Sequence, residues 1–144
     1  EKRAPLYLDV QRRAESLMYN SNQIFDIKFR NSILKYKPQI ELLASKNVKT
    51  AYLEFYKFIA DRYDNYLSFC NQNDPRNDSK NFYIEYDEDG DEVEMPLFHD
   101  EDIEYFESQE KKYKEENCPT ADKLKTYIDR LYEAMRKDLG SDKK

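Results

Sequence analysis

The sequence predicts a mainly α-helical fold, an antiparallel bundle of four to five helices with a short acidic β-hairpin or loop inserted near residues 73–98. Three observations carry this. Over residues 46–70, Val48, Tyr52, Phe55, Ile59, Tyr63, Tyr66 and Phe69 recur every three or four positions, which on a helix is a single stripe. Tyr56, Phe58 and Leu67 widen it, and a helix this aromatic must pack against other segments to leave water. Second, Phe25, Phe29, Ile33, Tyr36, Ile40 and Leu43 keep a helical register throughout. Third, Phe82-Tyr83-Ile84-Glu85-Tyr86 and Asp91-Glu92-Val93-Glu94-Met95 alternate on either side of Asp89-Gly90, a favoured hairpin turn.

Taken in order, Pro5 suits the first position of a helix on which Leu6, Val10, Ala14 and Leu17 share a face, with Arg12 and Arg13 off it. Asn20-Ser21-Asn22 marks a break. In the second element the ring of Pro38 clashes with the Leu34 carbonyl and removes a hydrogen bond, at about 3 kcal/mol. Because the apolar register continues past Pro38, one kinked helix or two helices sharing a face is expected. Ser45 stands where an N-cap of the aromatic helix belongs, so the second and third elements should form an antiparallel hairpin. Asn71-Gln72-Asn73-Asp74-Pro75 ends that helix.

Residues 100–117 predict a weakly amphipathic helix with Ile103, Phe106 and Tyr113 inward. It is acidic at its start and lysine-rich later, which suits the helix dipole. Cys118-Pro119 breaks it, and Thr120 caps a last helix bearing Leu124, Ile128, Leu131, Met135 and Leu139. Gly140 is expected as its C-terminal cap, with 140–144 a flexible tail. Residues 1–144 together are expected to form one helical domain, with 73–98 as its acidic excursion.

Charge is segregated along the chain. Residues 1–72 carry 12 Lys+Arg against 8 Asp+Glu, residues 73–117 carry 5 against 17, and residues 118–144 carry 7 against 5. The net charge of −6 therefore arises wholly in the middle segment. With 38% charged residues and no run near the roughly 18–20 apolar residues that a membrane span needs, a soluble piece is expected. The start at Glu1, rather than at methionine, reads as a fragment or a processed product.

Little in the residue types selects a chemistry. Two glycines, Gly90 and Gly140, exclude glycine-rich nucleotide motifs. Cys70 and Cys118 are in no CxxC arrangement and read as unpaired thiols, Cys70 half in the aromatic stripe. His99, the one histidine, has no GxSxG elbow to serve and no further histidine to share a metal, and position 96, where a Glu-x-x-His motif needs Glu, is Pro96. It reads as a helix-start or surface residue. An EF-hand reading fails on spacing: counted from Glu85, Gly90 falls correctly sixth but Pro96 falls twelfth, and counted from Asp87 these positions hold Glu92 and Phe98. Asp87, Asp89 and Asp91 are left as weak candidates for a loose Ca²⁺ site. No spacing picks out a glycosidase-type carboxylate pair. The acidic balance repels phosphate, so nucleic acid is not expected as a partner. The thirteen tyrosines read as core residues whose hydroxyls reach solvent.

The stretches FDIKFRNSILKYKPQIELLASKNV and YIDRLYEAMRKDLG, with the aromatic helix between them, resemble a group of small bacterial helical proteins with no assigned activity. The resemblance covers the first half and the last twenty residues, not the acidic middle, and carries over no functional residue. It implies a cytoplasmic region following an N-terminal membrane anchor, with Lys2, Arg3, Arg12 and Arg13 as a basic flank. The expectation is thus a cytoplasmic, non-catalytic interaction module without cofactor. Its acidic segment 85–110 would engage a basic protein, chiefly through Glu85, Asp87, Glu88, Asp89, Asp91, Glu92 and Glu94. The alternatives are a Ca²⁺-binding or sensing loop, and an acidic inhibitor or nucleic-acid mimic. Exposed helix faces would also suit a homo-oligomer.

Overall fold

A computed structural model describes residues 2–141. Its helices are α1 (Arg3–Tyr19), α2 (Ile27–Leu34), α3 (Lys37–Leu43), α4 (Lys46–Asn73), α5 (Asp100–Asn117) and α6 (Ala121–Ser141). Strands β1 (Phe82–Tyr86) and β2 (Glu92–Pro96) pair antiparallel. The fold is mainly α with a short hairpin, as the sequence predicts. Packing divides the chain into two compact units, Glu1–Asp64 with Cys118–Lys144, and Asn65–Asn117.

The first unit holds α1 to α3, the start of α4, and α6. Leu6, Val10, Ala14 and Leu17 of α1, Val48, Tyr52, Phe55 and Ile59 of α4, and Leu124, Ile128, Leu131 and Met135 of α6 are all buried. Polar pairs at the helix edges give the directions. Arg3 meets Asp138 at 3.1 Å while the Tyr132 hydroxyl donates to the Gln11 carbonyl at 3.0 Å, so α1 and α6 run antiparallel. Phe58 stacks on Tyr127 at 4.5 Å and Arg130 approaches Glu54, which sets α4 antiparallel to α6.

Local chemistry explains the helix ends. Asp26 caps α2 by accepting the Lys28 N–H at 2.9 Å. Ser45 accepts the Val48 N–H at 3.3 Å, and Thr120 accepts the Lys123 N–H at 3.2 Å. The chain breaks at Lys35-Tyr36 into two helices, with Pro38 in the first turn of α3, where its missing N–H costs nothing. Phe29, Ile33 and Ile40 stay buried across the break, so the shared face survives it.

Four local expectations change. Pro5 is the third residue of α1, still within the turn whose N–H groups lack helical partners. Phe25 lies in a 3₁₀ turn, Ser21–Phe25, ahead of α2. Leu67 is 42% exposed, because the apolar face of α4 is narrower in its last turns than the sequence stripe. Gly140 is helical and does not cap α6, which continues to Ser141; the only positive-φ residue described is Gly90. The expected tail residues 142–144 lie outside the described residues.

In the second unit α5 runs antiparallel to the end of α4. Phe69 stacks on Tyr113 at 4.4 Å and lies 6.1 Å from Phe106, while Tyr66 donates to Glu110 at 2.7 Å. Two 3₁₀ turns, Pro75–Asn77 and Ser79–Asn81, lead into the hairpin, each capped by the aspartate before it. Phe82 meets Phe98 edge to face at 5.4 Å beside the hairpin's base.

Candidate functional site

The hairpin turn is built around Asp87. The Gly90 N–H donates to the Asp87 carbonyl and the Asp87 N–H to the Asp91 carbonyl, each at 3.0 Å, with Gly90 at φ +81°. This is a three-residue loop, Glu88-Asp89-Gly90, closed by a glycine in the left-handed region, and not the two-residue Asp89-Gly90 turn expected. The Asp87 carboxylate is the reason. Its Oδ1 accepts the Asp89 N–H at 2.9 Å and the Asp91 N–H at 2.8 Å, satisfying amides that the turn leaves unpaired.

The fold brings Asp87, Asp89 and Asp91 together, with one carboxylate oxygen from each within 4.8 Å of the others and all three side chains exposed. It separates the remaining acidic candidates. The register pairs Glu85 with Val93 and Tyr83 with Met95 on one face, and Ile84 with Glu94 and Tyr86 with Glu92 on the other. Apolar Phe82, Ile84 and Tyr86 thus do not share a face with Val93 and Met95, and each face mixes apolar and acidic side chains. Tyr83 donates to Glu85 at 3.2 Å, and the carboxylate raises its hydroxyl pKa.

Several other titratable groups are held in structural pairs. Asp74 takes Arg76 at 2.8 and 2.9 Å, and this guanidinium holds its carboxyl below the usual range. Burial raises Tyr66, reinforced by Glu110, and burial likewise raises Cys70, whose Sγ lies 3.8 Å from the same carboxylate. A raised thiol is a poor nucleophile at neutral pH. His99 lies at the start of α5, where its backbone N–H donates to Asp102 at 2.9 Å. In the first unit an open groove of about 700 Å³ is lined by Asn47, Asp129, Arg130, Tyr132, Glu133 and Arg136, with Arg136 chelated by both Glu133 oxygens.

Two of the tyrosines depart from expectation. Tyr7 and Tyr52 are fully buried and give their hydroxyls to Asp138 and to the Ile33 carbonyl. A buried hydroxyl without a partner is costly, so these protein acceptors replace solvent.

Sequence reasoning located the acidic hairpin but missed how charge follows the fold. The first unit carries 19 Lys+Arg against 13 Asp+Glu, and Asn65–Asn117 carries 5 against 17. One unit is therefore net +6 and the other net −12. The signal was present as a charge boundary, but without contacts the uncharged stretch 65–72 could belong to either side. Comparison with known proteins finds no matching family, curated protein or solved structure.

Proposed function

We propose that this protein is a non-catalytic interaction module whose acidic unit, Asn65–Asn117, binds a basic partner protein. The observation that carries this is the concentration of charge, a net −12 on 53 residues with the hairpin acids exposed. Such a field steers cationic partners and strengthens as salt is lowered. Oligolysine is the simplest probe. Its affinity for the full chain should fall steeply with ionic strength and should drop when Asp87, Asp89 and Asp91 are changed to lysine. Salt-independent affinity, or none at low salt, would contradict the reading. By the resemblance to bacterial helical proteins, the module works in the cytoplasm next to a membrane, held by an anchoring segment outside residues 1–144. Recovery from its own cells without detergent would refute that location.

The approach of Asp87, Asp89 and Asp91 favours a second reading, a weak Ca²⁺ site that orders the turn. A cation bound only by the folded state raises the melting temperature. An unchanged melting temperature at millimolar Ca²⁺ would remove it.

A further inference from the structure

The two edges of the hairpin differ. Bonds between Leu97 and Asn81 and between Asp87 and Asp91 close the ladder at its two ends. Antiparallel alternation then turns the backbone groups of Asn81, Tyr83, Glu85 and Asp87 towards β2. The N–H and C=O of Phe82, Ile84 and Tyr86 face the other way, along an edge that no third strand covers among the described residues. The same alternation turns Glu92, Glu94 and Pro96 outward from β2. That edge is blunted by two carboxylates and by a proline with no N–H, devices that discourage strand addition. The β1 edge carries Phe, Ile and Tyr instead, with Ile84 55% and Tyr86 69% exposed.

We infer that the β1 edge accepts an extended segment of the basic partner as a third strand, an inference that rests on the function proposed above. Main-chain bonds to Phe82, Ile84 and Tyr86 would supply the hold, and alternate side chains the specificity. The register defines the chemistry of that segment. Residues opposite Ile84 and Tyr86 lie on their face and are apolar. Those between them lie on the Glu85 face, beside the turn carboxylates, and are Lys or Arg. Charge selects this occupant over a second copy, which would bring another net −12 to the same edge.

The test uses the full chain and a short peptide alternating valine and lysine, against the same peptide N-methylated at alternate amides. The expected result is saturable binding that slows exchange of the Ile84 and Tyr86 amides about tenfold, with N-methylation weakening affinity about tenfold, the worth of one or two hydrogen bonds. Equal binding of both peptides, with those amides unprotected, would overturn strand addition while leaving recognition of cations by the acidic unit intact. Failure of both valine–lysine peptides to bind, while oligolysine binds, would overturn it in the same way. Failure of all three cationic peptides would remove the underlying function as well. Protection of Ile84 that rises with protein concentration and needs no peptide would assign the edge to a second copy and overturn the inference.

Discussion

Both compact units draw on the aromatic residues of α4, and they use them differently. Of the 22 buried apolar side chains among the described residues, 21 belong to Glu1–Asp64 with Cys118–Lys144, and Phe106 alone belongs to Asn65–Asn117. Val48, Tyr52, Phe55 and Ile59 are sealed inside the first unit, whereas Tyr66 and Phe69 stay half-buried against α5. Charge follows the same division, net +6 against net −12. A thick core tolerates little change, while a thin, like-charged unit pays in self-repulsion and gains a surface free to change. On the function proposed above, the first unit supplies stability and the second supplies recognition.

The largest effect expected is at Phe55, fully buried in α4. Phe55→Ala should cost about 3–5 kcal/mol in denaturant unfolding of the chain. Phe106→Ala sharpens the contrast. Exchange of α5 amides should accelerate while α1 and α6 amides keep their protection; equal acceleration everywhere would break the division into two units.

Next is the hydroxyl of Tyr52. Tyr52→Phe should cost about 1 kcal/mol, since the Ile33 carbonyl keeps the Tyr36 N–H at 3.2 Å as a second donor. Exposed Tyr86→Phe should change stability by less than about 0.5 kcal/mol. Equal costs for the two would argue against the buried role of Tyr52.

A smaller effect is expected in alkali. Burial, with Glu15 adding to it, pushes the Tyr132 hydroxyl from 10.0 up to about 12. An unfolded tyrosine ionises first, so between pH 10.0 and about 12 the folded chain holds the extra proton. The stability from this group is complete below pH 10.0 and is lost as pH rises through that window. Burial also raises Tyr7 and Tyr52, so their contributions fall in the same direction. Tyr132→Phe should flatten the decline seen in denaturant midpoints, and an unchanged slope would contradict this assignment.

The smallest effect belongs to the hairpin turn. Asp87→Ala removes the acceptor of two amides and should loosen residues 87–91, while the chain's melting temperature moves little. Loss of melting stability on the scale of Phe55→Ala would contradict the division of roles.

Much of the helical unit was legible because its signals are local. A three-to-four spacing of aromatics, Ser45 and Thr120 at helix starts, and Pro38 within a continuing register each act over a few residues. The joining of Tyr7 and Arg3 to Asp138 was not legible, because the partners lie 131 and 135 residues apart. Nor was the division of α4 after Asp64, since one unbroken stripe serves both cores. Gly140 misled because a glycine near a helix end predicts a cap only where the chain turns, and α6 runs straight through it. In the candidate site the strands and the clustering of Asp87, Asp89 and Asp91 could be read from alternation and spacing. The distribution of acids over two faces could not, because the Asp87 carboxylate selects the longer loop and with it the register.

The central claim, that stability and recognition reside in different units, is tested most directly by one variant measured two ways. Asp87, Asp89 and Asp91 are changed to lysine together, and melting temperature and oligolysine affinity are recorded on the same protein. The account predicts an unchanged or slightly raised melting temperature with binding largely lost. Unchanged binding, or collapse of the fold alongside it, would contradict the account.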